Sequence, residues 1–122
     1  MRLLPFVIVA LITAGCAAPR HYDWGGYDEL LYQAYKDPSK MEVMKIKLET
    51  HIGSLEQHNQ KVAPGLYAEL GTLYYQGGNN AKAVSMYERE RSVWPESKGL
   101  MDSLISNINR RTQSSTQSET KR

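Results

Sequence analysis

Apolar side chains recur at helical spacing along most of the chain, and no stretch shows the alternating pattern of a strand. Turn residues divide this pattern into five segments, for which we predict helices over about 26–36, 39–62, 64–75, 81–93 and 95–109. The longest apolar stripe lies in the second segment and comprises Met41, Met44, Leu48, Ile52, Leu55 and Val62. The sequence therefore predicts an all-α fold of about five helices.

Residues that disfavour helices mark where the segments begin and end. Asp37-Pro38 ends the first helix, because proline disfavours the helical conformation of the residue before it. Ser39 is the expected N-cap of the second helix, with Glu42 three residues later. Residues 110–122 are polar and have nothing to bury, so we expect a disordered tail after a helical domain over 26–109.

A short apolar run, residues 3–12, stands at the N-terminus and is followed by small residues and Cys16. Such a run is typical of a signal peptide, because a membrane-spanning helix needs about 20 apolar residues. The segment resembles a bacterial lipobox, with Thr13 where leucine is more usual. The resemblance implies that residues 1–15 are removed and that Cys16 carries an S-diacylglycerol and an N-acyl group. We expect no other cofactor.

Other roles for Cys16 find little support in the sequence. It is the only cysteine, so an intramolecular disulfide is excluded, and no catalytic base stands beside it. Three acyl chains would hold the protein on a membrane without a transmembrane helix. Ala17 follows in place of aspartate, which by resemblance to bacterial sorting rules favours the outer membrane. We expect a lipidated tether over 16–25, with the domain facing the periplasm.

Charge and length narrow the range of partners. The 122 residues carry a net charge of +2, which lacks the concentrated basic field that nucleic-acid recognition requires. The length suffices for one small domain after the signal peptide. We therefore expect contacts with proteins and with a membrane, and none with nucleic acid.

The third and fourth predicted helices carry a recognisable set of spacings. The matching positions are Tyr67, Leu70, Gly71, Tyr74, Gly78, Ala83, Tyr87 and Pro95. These residues resemble one tetratricopeptide repeat, in which small side chains let two antiparallel helices approach closely. Glu90 stands where that repeat usually has alanine, so we expect looser packing there. The first two helices would form a divergent hairpin and the fifth a capping helix.

Four further segments extend the resemblance beyond the repeat. They are YDWGGY at 22–27, LYQAYKDP at 31–38, APGLYAE at 63–69 and WPES at 94–97. Over about residues 16–105 the chain resembles a family of small Gram-negative lipoproteins of unassigned function with a tetratricopeptide-like body. Members tend to be encoded beside a lipoprotein resembling the curli secretion channel. The resemblance implies envelope proteins as partners, in an outer-membrane assembly or export complex.

Three residues are candidates for binding a partner or a peptide: Trp24, Thr72 and Tyr75. Thr72 and Tyr75 would face the concave groove of a repeat, although the first hairpin could cover a groove this short. His51 and His58 stand seven residues apart, about 10 Å along a helix, which is too far to bind one metal ion directly. We expect no metal site.

Residue constellations typical of catalysis are missing from the sequence. It shows no Ser-His-Asp arrangement, phosphate-binding glycine loop or paired-carboxylate motif, so we expect no enzymatic activity. The charged run Glu88-Arg89-Glu90-Arg91 is either a solvated helix face with local ion pairs or a polar clamp for a partner. Trp94 is expected to pack under the fifth helix.

These observations lead to two hypotheses. In the first, the chain is an outer-membrane-anchored accessory factor that docks onto other proteins of a cell-envelope or secretion complex. In the second, it is a ligand- or peptide-binding module that uses the helical groove. The first predicts an exposed apolar patch, and the second predicts a concave pocket with convergent polar groups.

Overall fold

The computed structural model describes residues 21–120, and this part of the chain contains five α-helices and no strand. The helices are α1 (Tyr27–Lys36), α2 (Met41–Gln57), α3 (Leu66–Gln76), α4 (Asn80–Val93) and α5 (Lys98–Thr120), with short 3-10 turns at Pro38–Lys40 and Pro95–Ser97. The predicted all-α fold of about five helices is confirmed. The predicted signal peptide and Cys16 lie outside the described residues. None of the described helices is long and apolar enough to cross a membrane.

Each helix packs on the next one in the chain, and the α3–α4 contact is the most extensive. A first group of buried side chains joins α1, α2 and α3 through Ala34, Met44, Leu48, Ile52, Leu55, Val62, Ala63, Leu66, Tyr67, Leu70 and Leu73. A second group joins α4 and α5 through Ala83, Tyr87, Met101 and Ile108. The core therefore runs along the series of helices.

The α3–α4 contact is tight because Gly71 has no side chain. A Cβ atom at Gly71 would lie 2.8 Å from Cε1 of Tyr87 and 3.1 Å from the carbonyl oxygen of Ala83. The Tyr87 ring is only 2% exposed and fills this space. The close approach expected from the small residues Gly71 and Ala83 is thus present.

The turn between α1 and α2 differs from its prediction. Asp37, rather than Ser39, supplies the capping side chain, and its Oδ1 accepts hydrogen bonds from the Ser39 backbone N–H at 3.1 Å and hydroxyl at 2.7 Å. These bonds stabilise the carboxylate and lower the pKa of Asp37 below its ordinary value. A 3-10 turn over Pro38–Lys40 then precedes α2, so the prediction of Ser39 as the N-cap was wrong.

Helix α2 ends earlier than predicted, at Gln57 instead of about residue 62. Asn59 adopts a left-handed backbone conformation with φ of 54°, and the Gln60 N–H donates to the Leu55 carbonyl at 2.9 Å. Asparagine tolerates this conformation better than most residues and commonly ends helices in this way. Val62 nevertheless stays buried, at 2% exposure, so the chain returns to the core after α2.

The last helix continues through the segment for which we predicted a disordered tail. Ile108 is the last buried apolar residue of α5, which extends as a helix to Thr120. Residues 109–117 are exposed, and several of their hydroxyls, including that of Thr112, bond to the carbonyl one turn earlier. Local bonds, together with a contact between the Asn80 amide and the Thr112 hydroxyl at 3.2 Å, replace core packing in this part.

Replacing Gly71 with alanine should destabilise the protein. A side chain that overpacks a site like this costs about 1–3 kcal/mol of stability. The higher helix propensity of alanine offsets about 1 kcal/mol of this loss. Because the Tyr87 ring is buried and cannot move aside freely, we expect the free energy of unfolding to fall by about 1–2 kcal/mol. Urea denaturation followed by circular dichroism measures this change.

The matched control is Gly53→Ala on α2, where a new Cβ atom would meet nothing within 4 Å. This substitution should stabilise the protein by about 0.5–1 kcal/mol through helix propensity alone. If Gly71→Ala were stabilised as much as Gly53→Ala, the close contact between α3 and α4 would be contradicted.

Candidate functional site

The structure separates the sequence-predicted binding residues into two places. Thr72 and Tyr75 lie on α3, whereas Trp24 precedes α1, where its carbonyl accepts a hydrogen bond from the Tyr27 N–H at 3.0 Å. Trp24 is 36% exposed. Cys16, the predicted lipidation site, lies outside the described residues.

The side chains of Thr72 and Tyr75 are both engaged within the protein. The Thr72 hydroxyl contacts the Ala68 carbonyl and the Tyr87 hydroxyl, each at 3.0 Å. The Tyr75 hydroxyl accepts a hydrogen bond from Nη1 of Arg111 at 3.1 Å. Helix α5 therefore reaches over Tyr75, and it takes the covering role that we considered for the first hairpin.

A small groove lies where α3 and α4 meet α5. It is lined by Tyr75, Tyr87, Leu104, Asn107, Ile108 and Arg111 and has a volume of about 190 Å³. Its floor is apolar, and Arg111 stands at its rim. Pockets for drug-sized ligands usually have volumes of about 300–1,000 Å³, so this groove suits at most a single side chain or a similarly small group.

The most unusual polar residue of the domain is Glu90 on α4. It is only 2% exposed, although the sequence places it within a charged run that we expected to be solvated or to clamp a partner. Its Oε1 accepts a hydrogen bond from the Gly65 N–H at 2.8 Å, just before α3 begins. The carboxylate thus satisfies an amide at a helix N-terminus, where negative charge is favoured.

Burial and hydrogen bonding act in opposite directions on Glu90. Desolvation raises the pKa of its carboxyl above the ordinary value, and the amides of Gly65, Ala68 and Tyr67 only partly offset this rise. The sequence signal for this buried carboxylate was Glu90 itself, which stands where the repeat usually has a small alanine. We interpreted this difference as looser packing. The long Glu90 side chain instead fills the space and reaches the N-terminus of α3.

The two arginines of the same run form ion pairs with neighbouring helices. Arg89 donates to Glu56 of α2 at 2.5 Å, and Arg91 donates to Asp102 of α5 at 2.5 Å. The Tyr67 hydroxyl also donates to Glu56, and burial together with this bond raises the pKa of Tyr67 to about 12. These pairs are half-exposed, so they orient the helices more than they stabilise them.

His51 and His58 each contact a backbone carbonyl oxygen. His51 Nε2 lies 3.0 Å from the Asp23 carbonyl oxygen and holds the segment before α1 against α2. His58 Nδ1 lies 2.7 Å from the Ser54 carbonyl oxygen. Among the described residues, no group of three or more histidine, cysteine or acidic side chains is placed to hold a metal ion.

Trp94, which we expected to pack under the fifth helix, is buried and contacts the segments before α1 and between α2 and α3. Its Nε1 donates to the Val62 carbonyl at 3.2 Å, and its ring makes an edge-to-face contact with Tyr22 at a centroid distance of 5.3 Å. Lys61 Nζ lies 3.7 Å from the ring centre. Trp94 therefore fastens the segment between α2 and α3 to the end of α4.

Large exposed apolar side chains are concentrated on the first hairpin. Leu31, Tyr32 and Tyr35 lie on α1, and Val43 and Ile46 lie on α2. Leu100 on α5 is a further exposed apolar residue. Five of the seven exposed large apolar side chains among the described residues therefore lie on α1 and α2.

A family model described as a domain of unknown function, DUF4810, matches residues 21–104, which is well over half of the chain. The match spans α1 to α4 and the first part of α5. Comparisons with curated proteins and with solved structures found no match.

The stability of the protein should depend on pH through Glu90. A raised pKa means that the folded state binds this proton more tightly than the unfolded chain. The free energy of unfolding contributed by Glu90 should therefore fall as pH rises from about 4.5 through the folded-state pKa. Glu90→Gln should remove this contribution, so wild type should gain stability relative to the variant as the pH falls from neutral toward about 4.5.

Urea denaturation of both proteins at several pH values measures the difference. Glu88→Gln, an exposed position on the same helix, is the control and should keep the pH dependence of wild type. An unchanged difference between wild type and Glu90→Gln across this range would contradict the buried carboxylate.

Proposed function

The chain belongs to the DUF4810 family of unknown function, and from this premise we propose that it is a lipid-anchored accessory factor for assembly of a cell-envelope or secretion complex. In this proposal it sits on the periplasmic face of the outer membrane and catalyses no reaction. Its mechanism is tethering plus surface complementarity. The observation that carries the proposal is the exposed apolar surface on the first hairpin.

The anchor in this proposal is Cys16. The apolar run over residues 3–12 and the small residues before Cys16 support lipidation, and Ala17 supports the outer membrane as the destination. A lipid anchor confines a protein to the membrane plane, which raises its effective concentration near other membrane-bound proteins. A docking surface of modest area can then bind its partner even when both proteins are scarce.

The helical body in this proposal is a short tetratricopeptide-like array. The close α3–α4 contact at Gly71, with Tyr87 filling the adjacent space, supports this assignment. An array of stacked hairpins needs polar outer faces at its ends to remain soluble alone. The first hairpin instead exposes apolar side chains, which favours a protein in which a partner covers this face.

The protein-docking surface that we propose is the α2 outer stripe, defined as Val43, Ile46 and Thr50. These residues recur at spacings of three and four, and Val43 and Ile46 are 49% and 52% exposed. They point away from the face of α2 that carries Met44 and Leu48 into the core. An aliphatic stripe of this kind suits the dry centre of a protein–protein interface.

The partner class is an envelope protein, and one candidate is a lipoprotein resembling the curli secretion channel. A second candidate function, a ligand- or peptide-binding module, is favoured by one observation. The groove beside Tyr75 has an apolar floor and a guanidinium at its rim, from Arg111. Its volume of about 190 Å³ and the engagement of Tyr75 by Arg111 make this the weaker candidate.

Replacing Cys16 with alanine should remove the protein from the outer membrane. Without acyl chains, fractionation of cells should move the protein from the outer-membrane pellet to another fraction, or leave it as an uncleaved precursor. Mass spectrometry of the wild-type protein should show a diacylglycerol and an amide-linked acyl group on Cys16. A wild-type chain without added lipid mass would contradict the anchor.

The α2 outer stripe should contact another protein in cells. A photo-crosslinking amino acid placed at Ile46 should give a covalent adduct with an envelope protein, identified by mass spectrometry. The same amino acid at Ser106, exposed on α5, is the control and should give none. An adduct formed only from Asn107, at the groove, would instead support the ligand- or peptide-binding function.

Substitution of the stripe should weaken the same contact. Val43→Ser combined with Ile46→Ser should reduce recovery of the crosslinked partner at least fivefold, while changing the free energy of unfolding by only about 0.5 kcal/mol per site, because both side chains are half-exposed. Leu100→Ser, at an apolar residue that is 63% exposed, is the matched control. Equal loss in both variants would contradict a specific stripe.

A further inference from the structure

We propose that a second surface of the first hairpin rests on the lipid to which the chain is anchored. This surface, the α1 aromatic face, is defined as Leu31, Tyr32 and Tyr35. The inference rests on the proposed function, since it takes Cys16 as the anchor. It adds an orientation of the body relative to the membrane, which leaves the α2 outer stripe available for the protein partner.

The α1 aromatic face has no covering element among residues 21–120. Tyr35 is 86% exposed, Tyr32 is 53% exposed and Leu31 is 42% exposed. Tyr35 stands three residues after Tyr32 and four after Leu31, so it shares one side of α1 with each of them. Ala34 and Leu30 occupy the other side and pack into the core.

The chemistry of this face suits a membrane–water interface. A tyrosine has an apolar ring and a polar hydroxyl, and tyrosines concentrate at the level of lipid headgroups, where one end is apolar and the other is wet. Lys36 Nζ lies 4.8 Å from the centre of the Tyr32 ring, so a cation accompanies the aromatic surface. The α2 outer stripe differs, because it is aliphatic and carries no such phenol.

The charges along α1 also favour contact with lipid headgroups near Tyr35. Asp28 and Glu29 occupy the first turn, whereas Lys36 ends the helix, next to Tyr35 in sequence, and Lys40 ends the 3-10 turn that follows. Asp37 is the acid at that end, and its carboxylate is held by the Ser39 N–H and hydroxyl. The end of α1 that carries the most exposed tyrosine therefore offers two cations to phosphate groups of anionic lipids.

The length of the tether brings this face close to the bilayer. Four residues separate Cys16 from His21, the first described residue, and the five residue steps between them span at most about 18 Å when fully extended. Helix α1 begins six residues later, at Tyr27. A short tether gives a high effective concentration of lipid at α1, so weak interfacial contacts suffice to orient the body. This proximity favours lipid over a second copy of the chain as the occupant.

Quenching of tryptophan fluorescence by lipid tests the orientation. The probe is the chain from Cys16 to Arg122, which contains every described core residue, coupled through its only thiol to a maleimide lipid. The vesicles contain phosphatidylethanolamine and phosphatidylglycerol with brominated acyl chains. Reporter tryptophans are introduced as Tyr35→Trp or, as the control on α5, Leu100→Trp, both combined with Trp24→Phe.

Contact with lipid should quench the α1 reporter selectively. Relative to vesicles without bromine, the fluorescence lost with Tyr35→Trp should be at least twice that lost with Leu100→Trp, and Trp94 contributes the same background to both. Both positions are highly exposed, so circular dichroism should show the same helix content in the two variants. Equal quenching at the two positions would overturn the proposal.

A second copy of the chain as the occupant would give a different result. Sedimentation of the uncoupled chain would then show a dimer that Tyr35→Ser disperses, and the α1 reporter would escape quenching, which would also overturn the lipid contact. The anchor is tested separately, by the mass of Cys16 in protein from cells. An unmodified Cys16 overturns the proposed function, whereas equal quenching with Cys16 coupled overturns only the orientation.

Discussion

The fold depends on the close contact between α3 and α4 at Gly71. The backbone of Gly71 leaves space that the Tyr87 ring fills, and the Tyr87 hydroxyl then meets Thr72 at 3.0 Å. Two neighbouring contacts build directly on this pair, because α2 packs on α3 and α5 packs on α4. A side chain at Gly71 would separate the two groups of buried residues that this pair connects.

A second constraint positions the segment between α2 and α3. Glu90 accepts a hydrogen bond from Gly65 at 2.8 Å, and Trp94 donates one to Val62 at 3.2 Å. The acceptor Glu90 lies on α4 and the donor Trp94 lies at its end, so α4 fixes where α3 begins. A buried carboxylate is tolerated here because the amides at the start of α3 compensate part of its desolvation. The packing of α3 on α4 and the capping of α3 by Glu90 of α4 therefore depend on each other.

Much of the fold could be predicted from the sequence, because apolar spacing defines helices and their buried faces. The predictions that failed concern single backbone or side-chain choices that periodicity does not report. Asn59 ends α2 by adopting a left-handed conformation, and Asp37 takes the capping role expected of Ser39. The role of Glu90 required knowledge of which helix terminus it faces, and the cover over Tyr75 required the reach of Arg111 from α5. Contacts between residues so far apart in the sequence become visible only when the whole fold is known.

The length of α5 has a consequence for local unfolding of the protein. Up to Ile108 the helix shares the core with α4, so its amides should exchange with solvent only when the domain unfolds as a whole. From residue 109 to residue 117 the side chains are exposed and the helix has no buried apolar residue, so each turn can open with little effect on the rest. A single continuous helix therefore contains two thermodynamic units. A boundary in amide protection should fall within about one turn of Ile108, where the helix itself shows no break.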